Sequence, residues 1–259
     1  MLERWAHPKQ NLLMAVIFTN ITRQSFLKDS KFIYRYTNLE RFIDSLNSNT
    51  FAFINPAKWA DPFEKFYLDR DFKIKDNIVK LPAKDRLFSV CISGTLSSEA
   101  FWKVYAPKED GIRLSIDTEK LLTYFLDQIK DCDVYVGKVQ YQTTKEFFKI
   151  AFNKKKLIEE IQGNKVGDQQ IRLLLKKRNS FLYENEFRII VVPHKKQKET
   201  TVYKVETDIS KFITSYTIDP RMGKNQVKVL KEYFSEKRGL KISHSTLYSE
   251  KRREAIVLS

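Results

Sequence analysis

Glu184, Glu186 and Arg188 set two carboxylates and a guanidinium at alternate positions within Tyr183-Glu184-Asn185-Glu186-Phe187-Arg188-Ile189-Ile190-Val191-Val192. The β-branched and aromatic content of this run predicts a strand over residues 182–192. Strand side chains alternate between faces, so the three charges would share one face while Tyr183, Phe187 and Ile189 point to the other. Two like charges this close are costly in a sheet unless they are used. Carboxylates so placed can stabilise a developing positive charge, move a proton or gather a cation. The competing structural reading is a ladder of salt bridges on a solvated face, which is common and weak.

Further polar and aromatic candidates lie at the ends of other predicted strands. Tyr34-Arg35-Tyr36-Thr37 closes one strand, with Tyr34 and Tyr36 on one face and Arg35 on the other. Asn55-Pro56-Ala57-Lys58-Trp59-Ala60-Asp61-Pro62-Phe63-Glu64 forms a loop whose path is fixed by two prolines. Ser89 and Ser93 sit on a third strand, and Phe101, Trp102 and Tyr105 cluster on one side of a helix. Each has a structural alternative: Tyr34, Tyr36, Trp102 and Tyr105 as core, Asp61 as a turn cap, and the serines as ordinary strand-end residues. The sequence holds no Gly-rich phosphate loop and no Ser-His-Asp pattern, and His7, His194 and His244 lack metal-ligand spacing. No metal site is expected. Cys91 and Cys132 are too few for a disulfide framework and read as buried thiols in a reducing compartment.

The elements that must position these residues read as α+β. Strands are predicted over residues 31–37, 50–54, 87–93, 111–116, 134–141, 201–205, 215–218 and 240–247. Helices are predicted after the Asn38 cap, around 101–105, over 118–129 and over 225–237. Strands and helices mix without a βαβ rhythm, which implies a mixed, mainly antiparallel sheet flanked by helices. The 259 residues suit a single domain, 1–259, with a basic helical insert at about 144–178. The apolar run 12–18 is too short to span a membrane and lacks a signal-cleavage pattern, so a cytoplasmic protein without a membrane partner is expected.

Lys and Arg number 47 against 32 Asp and Glu, a net charge of +15 that attracts polyanions. Nucleic acid is the leading macromolecular partner. Lys154, Lys155, Lys156, Arg172, Lys176, Lys177 and Arg178 are the candidate contacts, with Phe147, Phe148 and Phe152 interleaved as rings on which bases could stack. An amphipathic helix with buried phenylalanines and a solvated lysine face is the alternative.

The ordered set Y-R-Y-T, N-P-x-x-W-A-D-P-F-E, F-S, W-x-x-Y-A, G-I-x-L and Y-E-x-E-x-R resembles a widespread bacterial family known only as a domain of unknown function, over residues 34–247. Ala60 stands where that family usually has Asn. More distantly, the first strand and helix resemble those of ADP-ribosyltransferases, including the DNA-modifying DarT-like toxins. The resemblance implies an ADP-ribosyltransferase-like domain with NAD as donor. It implies Glu186 as the catalytic carboxylate with Glu184 in reserve, and Arg35 in the polar position of the first strand. Tyr34, Tyr36, Thr37, Asn55, Trp59, Asp61, Ser89, Trp102, Tyr105 and Arg188 would surround the cofactor, Trp102 or Tyr105 stacking on nicotinamide and Arg188 or Arg35 meeting the pyrophosphate. It further implies a nucleic-acid acceptor, a toxin of a toxin–antitoxin or phage-defence system, and an antitoxin protein as a possible partner; RNA is favoured as the acceptor because basic residues interleaved with aromatics suit a flexible single strand. Beside it stand a metal-dependent nuclease built on Asp61, Glu64, Glu184 and Glu186, and a non-catalytic RNA-binding module.

Overall fold

The strand Glu186–Pro193 is buried along its length because it pairs antiparallel with Phe88–Ser93 on one side and Cys132–Lys138 on the other. It forms part of a computed structural model that describes residues 16–147, 153–198 and 201–249. The sheet runs in the order Ile17–Phe18, Cys132–Lys138, Glu186–Pro193, Phe88–Ser93, Phe32–Asn38, Gly111–Asp117, Ile213–Ile218 and Ile242–His244. Its two outermost pairings are parallel and the rest antiparallel. Along Phe88–Ser93 the sheet forks: Tyr34 pairs with Ser93 at one end and Ile54 with Ser89 at the other. Thr50–Ile54 then pairs with Val202–Glu206. The class is therefore the expected α+β, with a mainly antiparallel sheet flanked by helices.

Alternation along the strands separates two environments. Phe187, Ile189 and Val191 join Ile33, Ile92 and Leu114 in the larger core, closed by Phe42, Leu121 and Phe234 from three helices. Ile190 and Val192 face a second core with Leu81, Leu87, Leu157 and Leu173. A small aromatic cluster of Tyr36, Phe101 and Trp102 joins the helix Glu99–Tyr105 to the strand Phe32–Asn38.

Local signals placed many elements as read. The Asn38 side chain accepts from the Arg41 amide and starts the helix Leu39–Ser48, whose Phe42 is buried. The strand Thr50–Ile54 has the expected bounds, and Asn55 caps the 3-10 turn Pro56–Lys58 that follows. Other expectations need correction. The strand predicted over 182–192 begins only at Glu186; residues before it form the 3-10 turn Asn179–Glu184, which ends in left-handed Asn185 (φ 42°). The segment 176–178, read as helical, is the strand Lys176–Arg178, which pairs parallel with Gln140–Gln142. The hairpin Asp71–Ile74 with Asn77–Lys80 was not expected. Residues 12–15, Phe148, Phe152 and the Phe147 side chain lie outside the described residues. Among the described residues no helix is long and apolar enough to cross a membrane.

Gly111 lets the helix Glu99–Tyr105 lie directly on the sheet. A Cβ there would come within 2.8 Å of both the Trp102 ring and the Ala106 Cβ. Both neighbours are buried, so Gly111→Ala is expected to destabilise the fold by about 1–3 kcal/mol, read as a lower urea midpoint at unchanged slope.

Candidate active site

Lys177 is the hub of a buried ion cluster. Its Nζ lies 2.6 Å from Glu184 Oε2, 3.0 Å from Glu186 Oε2 and 3.0 Å from Glu64 Oε1. An ammonium has three donors, and here each meets a carboxylate. Arg188, with no exposed surface, places Nε 2.7 Å from Glu186 Oε1 and Nη2 2.5 Å from Glu64 Oε2, and also donates to the Leu174 carbonyl. Trp59 covers this guanidinium, its ring centroid 4.2 Å away. Three carboxylates and two cations are thus almost wholly withdrawn from water, an arrangement that persists only where each charge is matched.

Local conformation explains the convergence. Asn tolerates the left-handed region better than most residues, and Asn185 uses it to break the strand so that the flanking glutamates reach one ammonium. The turn is held by the Gly94 amide donating to the Asn185 carbonyl at 2.8 Å and by Ser93 Oγ donating to the Glu184 carbonyl at 2.6 Å. The Glu186 amide donates to the Tyr141 hydroxyl at 2.9 Å.

The two acids are driven apart electrostatically. Burial alone would raise Glu186, but Arg188 and Lys177 outweigh it and hold this carboxylate well below its usual range. For Glu184 burial dominates, the Glu186 charge adds to it, and Lys177 offsets only part, so the group is pushed up to about 7. Burial works against the Lys177 charge, yet Glu186, Glu64 and Glu184 reverse that and fix the ammonium form. One acid is permanently ionised and its neighbour exchanges a proton near neutrality, the environment-driven division seen where paired carboxylates take different roles.

Both acids face a narrow cleft that encloses about 20 Å³ of free space and is lined also by Tyr34, Tyr36, Cys91, Ser93, Phe101 and Tyr105. Tyr36 stacks on Phe101 at 4.8 Å, and Phe101 lies 6.2 Å from Tyr105 and 5.9 Å from Tyr183. Burial pushes the Cys91 thiol up, and the Glu186 charge adds to it. An acidic floor between aromatic walls suits a flat, positively charged group. The free space is enough for about one water and lies far below the roughly 300–1,000 Å³ typical of small-molecule sites, so a planar ring enters only if the aromatic walls move apart.

Of the residues singled out from sequence, Glu184, Glu186, Tyr34, Tyr36 and Tyr105 meet in this cleft. Others do not. Arg35 and Thr37 lie on the opposite face, because alternation turns them away from Tyr34 and Tyr36; Arg35 stacks over Phe51 at 4.5 Å. Arg188 has its donors engaged by Glu186, Glu64 and Leu174 and is closed off from any pyrophosphate. Asn55 is buried and spent on the Ala57 amide and the Lys84 carbonyl. Asp61 caps the Phe63 amide and pairs with Arg178 at 3.1 Å. Ser89 is buried away from the cleft, and Trp102 is core beneath Tyr36. Trp59 gives its ring face to Arg188. Tyr183, expected to point away, lies beside Phe101 on the cleft side.

The basic segment also needs correction. Lys176 and Lys177 are buried, and Arg178 is half-buried against Asp61 and Phe63. Inward-facing carboxylates claim Lys177 and Arg178, and Lys176 is buried beside them, so the three are not part of an outer nucleic-acid surface. Arg172 pairs with Asp168 and donates to the Thr19 carbonyl. Lys154, Lys155 and Lys156 are exposed on the first turn of the helix Lys154–Gln162. Sequence reasoning missed Lys177 as the partner of the acids, and with it Cys91 and Tyr141 as their neighbours; Glu64 was foreseen only as a metal ligand. One signal was available: the apolar Leu173-Leu174-Leu175 directly before the lysines marks a segment entering the core. Among the described residues no three His, Cys, Asp or Glu are placed to hold a metal ion; at the carboxylate cluster the ammonium of Lys177 stands between them.

Residues 101–189 match the model of a family described as "Protein of unknown function (DUF2971)". The resemblance to a family of unknown function thus holds over a stretch that contains W-x-x-Y-A, G-I-x-L and Y-E-x-E-x-R. No curated protein matches the chain. Among solved structures the chain is similar to one of Thermus sp. 2.9 DarT in complex with ADP-ribosylated ssDNA, at 9% identity over 84% of this chain and 95% of that one, with a TM-score of 0.38. A likeness that loose does not carry the chemistry of one chain to the other.

The opposed shifts give a sign to the pH dependence of stability. Between about 4.5 and about 7 the folded state holds the Glu184 proton more tightly than the unfolded chain does, so stability falls as pH rises across that window and levels off above it. Glu186, held low, acts in the opposite sense and only at lower pH. Glu184→Gln is expected to remove a fall of about 1–3 kcal/mol, seen by comparing urea unfolding of the two proteins at intervals across the window.

Proposed function

We propose that the chain is an NAD-dependent mono-ADP-ribosyltransferase whose acceptor is a nucleic acid. The supporting observation is the pair of oppositely shifted carboxylates on the floor of an aromatic cleft. NAD supplies an ADP-ribosyl group joined to a cationic nicotinamide ring, and breaking that bond develops positive charge at the anomeric carbon. The chemistry of the lining fits such a donor: the acids lie between Tyr34, Tyr36, Phe101 and Tyr105, and a flat cation would be received once the stacked Tyr36 and Phe101 part from Tyr105.

Glu186 supplies a fixed negative charge at the cleft floor. Lys177 and Arg188 keep it ionised and hold it in one rotamer, so it needs no reorganisation as positive charge develops nearby. Glu184, poised near neutrality, accepts the proton that the attacking acceptor releases. Tyr34 and Tyr36 hold the near wall, and Ser93 fixes the backbone of Glu184. Arg35, Trp102 and Arg188 take no direct part, because each is turned to the other face, packed in the core or wholly engaged by carboxylates.

The nuclease reading loses ground at Lys177. A catalytic cation would need the oxygens of Glu64, Glu184 and Glu186, and the ammonium already binds all three. The net charge of +15 and the exposed Lys154, Lys155 and Lys156 support a polyanionic acceptor, with RNA favoured over DNA as the sequence suggests. A toxin role held in check by an antitoxin protein rests on the family resemblance alone.

Incubation with labelled NAD and, in parallel, RNA, single-stranded DNA and protein is expected to label one nucleic acid. Glu186→Gln should lower that labelling by about 10²–10³-fold with the circular dichroism spectrum retained; unchanged labelling in this variant would remove the assignment. Replacing Lys154, Lys155 and Lys156 together by Ala should weaken nucleic-acid binding and reduce the slope of log affinity against log salt by about 0.7 for each phosphate no longer neutralised. NAD cleavage in the absence of acceptor should stay unchanged in that variant.

A further inference from the structure

The sheet face opposite the cleft carries a second concavity of about 740 Å³ including its open mouth, lined by Arg35, Thr37, Arg41, Asp44 and Lys204 among others. Arg35 forms part of its wall. Its guanidinium lies against the Phe51 ring and donates to the Ala52 carbonyl at 3.2 Å. Lys177, Arg188 and Arg221 are each paired with carboxylates, but no carboxylate among the described residues pairs with Arg35. A guanidinium carries five N–H donors in a planar fork, and most of this one's remain unused.

Arg41 brings a second guanidinium to the same concavity, also without an ion pair among the described residues. The two repel. Burial first, and Arg41 second, pull Arg35 down to about 10. Asp44 is the acid in the lining, and it is drawn to Lys204, 2.8 Å away. Two like charges facing one cavity, one of them partly stripped of water, are unfavourable unless an anion sits between them. Charge-assisted bonds from planar forks suit a tetrahedral oxyanion well.

We infer that this concavity binds a phosphate group, either inorganic phosphate or the monoester of a small metabolite, at a site separate from the cleft. The Thr37 side chain lies on the same wall. The strand Phe32–Asn38 therefore serves both sites, its tyrosines facing one and its arginine the other.

The test is thermal unfolding of the full chain in rising inorganic phosphate and, separately, rising ribose 5-phosphate, with ionic strength held constant by chloride. A saturable rise in midpoint is expected with at least one of the two. Arg41→Gln, at an exposed position, should raise the apparent dissociation constant at least about ten-fold, as expected for removal of one charge-assisted pair. Arg35→Gln should abolish the rise while unfolding no earlier than the parent in chloride alone, since it removes a half-buried charge that no carboxylate among the described residues pairs. A larger response to ribose 5-phosphate identifies an ester, and an equal one identifies free phosphate. A rise reproduced by chloride, or one that survives both substitutions, overturns the site.

Discussion

Compensation of buried charge at Lys177 is the constraint around which this molecule is arranged. Four parts of the chain supply it: the loop ending in Glu64, the short strand of Lys177, the turn ending in Glu184, and the strand that begins with Glu186 and Arg188. Removing one partner from such a cluster leaves an uncompensated buried charge and costs about 3–5 kcal/mol. Replacing the whole cluster with well-packed apolar side chains is often neutral or stabilising. A cluster of this size therefore adds little to stability as a whole, while each member depends strongly on the others. Its retention at the floor of a cleft is better explained by use than by stability.

The geometry also determines how two neighbouring carboxylates differ. Glu186 receives Lys177 and both the direct and the longer hydrogen bonds of Arg188, whereas Glu184 receives Lys177 alone. Two cations against one is enough to override desolvation in the first case and not in the second. Division of labour between the acids thus follows from how many cations each can reach. That number depends on Asn185, whose left-handed turn presents the flanking side chains to Lys177 while Arg188, two residues further along a regular strand, returns to Glu186.

Local rules made much of the fold legible. The Asn38 cap and the strand pattern of residues 50–54 each act within a few residues, and the elements formed as read. The Glu184/Glu186 pair and the aromatic side of the Phe101 helix were legible for the same reason. Long-range pairing was not. Lys176, Lys177 and Arg178 read as an outward basic patch because sequence shows a charge and not its partner; the carboxylate that draws Lys177 inward from the other side of the cluster is more than a hundred residues away, at Glu64. Arg35 was misplaced for a related reason. Period-two alternation stated that Arg35 opposes Tyr34 and Tyr36, but only the forked sheet shows which of those faces meets Glu186.

That fork links the two polar regions of the molecule. Between its pairing with the Tyr34 end of one strand and the Ile54 end of another, the strand Phe88–Ser93 leaves room for the Arg35 side chain to reach the Ala52 carbonyl and the Phe51 ring. A continuous ladder would place strand backbone in that gap. On the other side of the same strand Cys91 lies in the cleft beside Glu186. Arg35 and Glu186 therefore approach one thin layer of backbone from opposite sides. Charge brought to one face of this sheet is felt on the other through a single layer of low dielectric, where Coulomb interactions fall off far less than they do in water.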